Sequence, residues 1–311
     1  MKWAAIEGEL DLSGSVVTFK GKPVTFTNEH GQPQIGLDVG LVMSKERFSG
    51  GQITAQVEFE RIGDRNGCGL VFYYDPTRRW FVSAGLGGPE SMYVIRHWDG
   101  RWTNHALAGS RSNLEPGQKY QLKVEVKGSR VILSVDDVEV LGAVLPFLLP
   151  PSQTGIHFLD DSTSKVSNFR TLGQRGRVFV VMEFSSPFME IHEEVIKTIC
   201  NEFELDAYRA DETYGPGLII ADVTREISES QFVIAEITPS NPNVYYELGY
   251  AHAINKPVIL MADKAIVKQL PFDVSGFRTL FYENSIPGKR KFDEALRKNI
   301  TAILQKDTIS G

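Results

Sequence analysis

The sequence predicts two domains of different class: an all-β sandwich over residues 1–172, then an α/β domain over residues 177–311 built on a parallel sheet with helices on both faces. Three observations lead there. Up to about Leu172, apolar residues recur at every second position in short segments parted by Gly, Asn, Asp and Pro, the period of half-buried strands. Beyond Arg177, β-branched runs alternate with stretches of helical period, the pattern of βαβ units. A length of 311 residues also exceeds one ordinary domain and suits two, each able to bury a core.

Composition narrows the function classes. With 33 basic and 39 acidic residues the formal charge is -6, and no basic cluster tracks a phosphate backbone, so nucleic acid is not an expected partner. The start, MKWAAIEGELDLSG, carries acids and no apolar run of signal-peptide length, and nothing elsewhere approaches a membrane span. A cytoplasmic protein without membrane contact is the expectation. Cys68 and Cys200 fall one in each domain, so neither a disulfide framework nor a thiolate zinc site forms within a domain, and both read as small buried residues.

In the first domain, Gln52–Arg61 places Ile53, Ala55, Val57 and Phe59 on one face. Further strands are expected at Gly69–Tyr74, Trp80–Gly85, Ser91–Trp98, Tyr120–Val126, Arg130–Val135 and Gly155–Leu159. Asp99-Gly100 suits a two-residue hairpin turn, and Lys127-Gly128-Ser129 a turn between alternating strands. Adjacent acids at Asp136-Asp137 and Asp160-Asp161 point to opposite faces of a strand and read as turn residues, so no metal is assigned. Trp80, Trp98, Trp102, Tyr93 and His97 either fill the sandwich or offer a stacking surface for a ligand.

FSGGQITAQVEF, GLVFYY, YQLKVEVKGSRVILSVDDVEV, TGIHF and VSNFR, in this order over about Leu41–Thr171, resemble a concanavalin A-like jelly roll of the laminin-G and glucanase-like group. The resemblance implies a glycan or protein ligand for this domain. It brings no paired-acid signature of the glycosidase members.

Thr171–Arg177 reads as a polar linker with the boundary near residue 174. The strand Val178–Met182 then leads into a helix over Pro187–Phe203 with Phe188, Ile191, Val195, Ile199 and Phe203 at helical spacing. Strand Asp206–Arg209, helix Leu218–Ser230, strand Gln231–Ile237, a helix from Asn241, strand Pro257–Ala262, strand Phe277–Tyr282 and a helix Lys291–Gln305 follow. Five strands in flavodoxin-like order are expected. Asn241 suits an N-cap and Pro242 the first helical position. On that helix Val244, Leu248, Ala251 and Asn255 form a buried stripe with Glu247 beside it, near the helix start. Glu247 is either an acid favouring the helix dipole or a carboxylate looking into the crevice beyond the strand ends.

NPNVYYELGYAHAINKPVILM, followed by LPFDVSGFRTLFY and preceded by RADE (209–212) and VFVVMEFSSPF, resembles the nucleoside 2-deoxyribosyltransferase-like branch of the TIR-type fold over about Arg177–Ser285. The resemblance implies cleavage or exchange of the N-glycosidic bond between a ribose-type sugar and its base. Among TIR relatives it implies action on NAD, often in bacterial defence against phage. NAD is then a substrate and no cofactor is required. The family's essential glutamate falls on Glu247, as nucleophile or electrostatic partner at the anomeric carbon. Asp211 becomes a candidate for a ribose hydroxyl and Arg209 for phosphate or for Glu212. Phe184, Ser185, Ser186, Asn243 and Tyr246 are candidates to line the pocket, and Tyr250 to shield it or pack against a neighbouring helix. Assembly into a homo-oligomer is also expected. Glu236 departs from the family pattern, in which relatives commonly carry an aspartate followed by a small residue; a longer acid is expected to move out of the site and leave turnover weak, gated by assembly, or absent. No glycine-rich phosphate loop is present, which argues against hydride or phosphoryl transfer.

Overall fold

Ile53, Ala55, Val57 and Phe59 all turn to the interior, and the residues between them stay half-exposed, because the strand Gly51–Phe59 has one face on a core and one outside. The computed structural model describes residues 2–27, 31–63, 65–88, 91–209, 219–267 and 269–305. Its first unit is an antiparallel sandwich of two seven-stranded sheets. One sheet runs β1 (Trp3–Glu7), β6 (Asp38–Phe48), β15 (Ser152–Asp160), β8 (Gly67–Asp75), β9 (Trp80–Leu86), β10 (Tyr93–Trp98) and β11 (Trp102–Ala108). The other runs β14 (Val138–Val144), β13 (Arg130–Val135), β12 (Lys119–Lys127), β7 (Gly51–Phe59), β16 (Thr163–Gly173), β3 (Val17–Lys20) and β2 (Leu10–Asp11). A hairpin of β4 (Val24–Thr27) and β5 (Pro33–Gly36) stands apart. Phe19 of one sheet stacks on Phe158 of the other with ring centroids 5.3 Å apart, and Phe59, Tyr120 and Leu70 complete the same buried layer.

Two local expectations fail here. Trp98 pairs directly with Trp102, so the β10–β11 connection has three residues, Asp99 to Arg101, rather than two. The polar linker shrinks to Gln174 and Arg175, because Thr171, Leu172 and Gly173 continue β16 by pairing with Ile53, Gln52 and Gly51. Polar residues suit an edge or a solvated strand face as readily as a loop. The chain passes to the second unit between Gln174 and Arg175, and Lys127–Arg130 and Leu145–Pro150 group with that second unit.

The second unit holds a five-stranded parallel sheet in the order β18 (Leu205–Arg209), β17 (Gly176–Val181), β19 (Phe232–Glu236), β20 (Val258–Asp263), β21 (Thr279–Tyr282). This is the 2-1-3-4-5 order anticipated from the sequence. The three central strands are apolar but for Arg177, Glu236 and Asp263 near their ends, because both faces are covered. Val178, Val180, Phe232, Ile234 and Met261 pack under α1 (Phe188–Ile191), α2 (Lys197–Glu202) and α5 (Ile286–Gln305). Phe179, Val181, Val233, Ala235 and Leu260 pack under α3 (Ile219–Glu229) and α4 (Pro242–Ala253).

The helix expected over Pro187–Phe203 is α1 continued through a π-helical segment, His192–Ile196, into α2. Helix α5 begins five residues earlier than expected: the Ser285 hydroxyl accepts the Gly288 N–H at 3.1 Å and its carbonyl the Lys289 N–H at 2.8 Å, while Pro287 needs no donor in the first turn. Asn255 leaves the buried stripe of α4. Its φ of 55° closes the helix, with Lys256 N–H on Ala251 O (2.8 Å) and Asn255 N–H on His252 O (3.0 Å), a paired C-terminal cap. Among the described residues no helix is long and apolar enough to cross a membrane.

Candidate functional site

The strand order reverses between β17 and β19, so the loops leaving their carboxyl ends flank a crevice. One residue joins those loops. Asn241 has extended backbone (φ -125°, ψ 122°), and its amide oxygen accepts the Asn243 N–H at 2.9 Å, which caps α4. Its amide nitrogen donates to the Glu183 carboxylate, two residues past the end of β17. The start of α4 is thereby tied to the neighbouring loop.

Glu247 lies in the second turn of α4, between Val244 and the Leu248–Ala251 pair that anchor the helix to the sheet. It is partly buried, and no described residue donates to it or forms an ion pair with it. Burial alone pushes its carboxyl from 4.5 up to about 7. A carboxyl in that range is present in both forms near neutral pH, as an acid and as an anion.

Arg209, at the carboxyl end of β18, is buried, and its guanidinium carbon lies 5.5 Å from the Phe184 ring centroid. Phe184 itself is 49% exposed. The structure thus brings Arg209 and Phe184 together. Ser185 and Ser186 are exposed and serve the start of α1: the Ser185 carbonyl accepts the Phe188 N–H at 2.9 Å, and the Ser186 hydroxyl donates to Glu190 at 3.1 Å. Tyr246 is 55% exposed and Asn243 is exposed, while Tyr250 packs partly buried against the α3–α4 core. Asp211 and Glu212 lie outside the described residues. No hydrogen bond or ion pair among the described residues links Glu247 to Arg209, Phe184 or Asn241.

Glu236 is set on the face away from α4 by its position in the strand, not by the length of its side chain. Val233, Ala235 and Ile237 contact α4, whereas Phe232 and Ile234 lie on the α1–α2–α5 side, and alternation sends Glu236 to the latter. There it is fully buried. Its Oε1 accepts the Thr238 N–H at 2.8 Å and the Thr238 hydroxyl proton, and the Thr238 Oγ1 accepts the Asp263 N–H at 3.0 Å. Burial raises its carboxyl to about 7, against the lowering effect of the Thr238 and Tyr282 hydroxyls. Glu236 therefore joins the ends of β19 and β20 on the face away from Glu247. Neither this network nor the Glu183–Asn241 bond was anticipated. An acid immediately after an apolar strand was the available signal for Glu183.

In the sandwich, the five aromatic candidates do not form one surface. Along β10 alternate residues face opposite ways, and the register sets His97 across from Val82 but Trp98 across from Phe81 and Trp102. Trp80, His97 and Tyr93 thus share the side of the Val82–Leu86 core, with Trp80 and His97 rings 5.9 Å apart, and Trp98 and Trp102 lie on the other side. His97 also contacts His105 at 2.8 Å. The acid pairs act locally: Asp136 and Asp137 turn the chain with φ of 49° and 63°, Asp160 accepts from Ser162 and Ser164, and Asp161 pairs with Arg61 at 2.9 Å. Cys68 and Cys200 are buried free thiols raised by desolvation, Cys200 to about 12. Among the described residues no cluster of His, Cys, Asp or Glu is arranged to hold a metal ion.

No protein-family model matches the chain, and no curated protein matches it. Solved structures resemble its N-terminal part. A carbohydrate-binding module, CBM66, from Bacillus subtilis shares 16% identity at a TM-score of 0.43, over 54% of this chain and 92% of that one. The β-glucanase of Bacillus licheniformis shares 9% at 0.37, over 56% and 92%. A prokaryotic β-1,3-1,4-glucanase (lichenase) from a mouse hindgut metagenome shares 8% at 0.37, over 53% and 90%. Likeness at this level assigns no ligand or activity, and the architecture given above rests on the sheet order and register themselves.

Proposed function

We propose that the α/β domain cleaves the N-glycosidic bond between ribose and base in NAD or a related nucleotide, with Glu247 at the anomeric carbon, and that the sandwich regulates it or adapts it to a ligand. One observation carries the reading: Glu247 is a desolvated carboxyl near pKa 7, without a partner among the described residues, on the helix that leaves the crevice. Breaking a ribose–base bond builds positive charge on the sugar, and an anion in a dry setting stabilises or traps it. Nicotinamide departs from an already cationic state, so no second acid is needed. In this reading Phe184 stacks the base and Arg209 takes a phosphate, with Ser185, Ser186, Asn243 and Tyr246 at the rim, and Asp211 is the partner of a ribose hydroxyl. Sequence resemblance to the deoxyribosyltransferase and TIR group supports the reaction class, and a role in defence against phage with assembly into an oligomer follows from the same resemblance.

A second reading, a nucleotide-binding module without turnover, draws on Glu236, which buries its carboxylate on the face away from Glu247. Release of nicotinamide from NAD by the full chain, measured beside NAD binding, separates the two. Turnover that falls about 100-fold or more in Glu247→Gln with binding retained supports the enzyme. Binding without release by wild-type protein supports the module, and neither binding nor release rejects both.

A further inference from the structure

Two polar side chains are buried on the sandwich face that carries Trp98 and Trp102 with polar atoms that no described residue satisfies. Arg96 is 3% exposed, and among the described residues its Nε has no acceptor and no carboxylate forms an ion pair with it. His157 is 0% exposed, and among the described residues neither ring nitrogen has a hydrogen-bond partner. Buried cations and buried imidazole nitrogens are ordinarily matched by hydrogen-bonding groups of the protein, since leaving them bare costs folding free energy. Desolvation of Arg96 is strong enough to depress its guanidinium to about 10, and His157 is held neutral by its own burial and by the Arg96 charge.

The register explains how they meet. Arg96 is opposite Ser83 on β9, and His157 is opposite Gly69 on β8, which is opposite Gly85. The sheet between the two groups is thus floored by Ser83 and two glycines. Trp102 comes from β11, four strands from His157 and about 19 Å away on a flat sheet. Its ring nevertheless lies 5.0 Å from the His157 ring, 3.9 Å from the Arg96 guanidinium carbon and 5.6 Å from Phe81. This face is therefore concave, with a cation and an imidazole at its base and the indoles of Trp98 and Trp102 at its side.

We propose that this concave face binds the carboxylate of an acidic sugar, with Arg96 and His157 as donors and the two indoles stacking on the sugar ring. A guanidinium presents a planar fork that matches a carboxylate, and aromatic faces match the apolar side of a pyranose ring. One fixed positive charge beside a neutral imidazole fits a single negative charge better than a doubly charged phosphate. Trp102 covers Arg96, so a ligand must move that indole. The inference is independent of the N-glycosidase reading.

The full chain is titrated with oligogalacturonate, a hyaluronate oligosaccharide and sialyllactose, and with methyl-esterified oligogalacturonate and lactose as neutral counterparts, by calorimetry and tryptophan fluorescence. At least one acidic sugar is expected to bind with a fluorescence change, its neutral counterpart about tenfold or more weaker. Arg96→Met keeps the alkyl contact with Trp102; it should abolish that preference and melt no lower than wild type. His157→Phe keeps a ring and removes the donor, and should give the same loss if Arg96→Met does not fold. Absence of binding by all three acidic sugars at millimolar concentration, equal binding of the neutral ones, or undiminished binding by a folded variant overturns the proposal.

Discussion

Replacing Glu247 by glutamine should stabilise the protein, and only above a definite pH. Burial raises this carboxyl from 4.5 in the unfolded chain to about 7 in the folded one. Below pH 4.5 both states are protonated and the group costs nothing. Between 4.5 and about 7 the unfolded chain has lost the proton and the folded chain keeps it, so stability falls as pH rises; above about 7 the full cost is present. At roughly 1.4 kcal/mol per pKa unit the limit is about 3 kcal/mol. Solvent relaxation around a side chain that is only partly buried reduces this to about 1–2 kcal/mol. Glutamine does not titrate. The mutant should therefore match wild type at pH 4.5 and exceed it by a margin that grows to a plateau near pH 8. Thermal melts of both proteins from pH 4.5 to 8.5 measure this, and taking the difference cancels Glu236, which titrates in the same window. A difference independent of pH, or a mutant less stable by the 0.3–1 kcal/mol roughly expected for losing an acid at a helix start, would refute the desolvated carboxylate. Together with loss of turnover, added stability would mark Glu247 as a group held in an unfavourable setting for its chemistry.

Other changes test the framework around it. Asn241→Ala removes the α4 cap and the bond to Glu183, and should cost about 1–2 kcal/mol in urea unfolding; Asn241→Ser, which keeps the cap alone, should recover about half. If serine is as damaging as alanine, the cap contributes little. Thr238→Val preserves shape and the backbone N–H bond to Glu236 but removes the hydroxyl that donates to Glu236 and accepts the Asp263 N–H, and should lower stability by about 2 kcal/mol; an unchanged denaturation midpoint would show that the hydroxyl network is not formed.

The residues themselves determined whatever depends on short-range period and on local hydrogen bonding. Ile53 to Phe59 alternates and lies with one face in the core, and Val244, Leu248 and Ala251 repeat at helical spacing and anchor α4. Asn241-Pro242 starts that helix because an amide acceptor and a residue without an N–H fit its first turn wherever they occur. The alternation of strand and helix was sufficient for a parallel sheet, while its 2-1-3-4-5 order is set by the strand pairings. Tertiary structure decided what depends on register and on neighbours distant in the chain. A shift of one position turns a side chain to the opposite face, which separates Trp80 and His97 from Trp98 and Trp102 and takes Glu236 away from α4. Arg96 and His157 are 61 positions apart and meet through a curved sheet. No local period encodes that encounter, nor the burial that moves Glu247, because the electrostatic setting of a side chain is made by the elements packed around it.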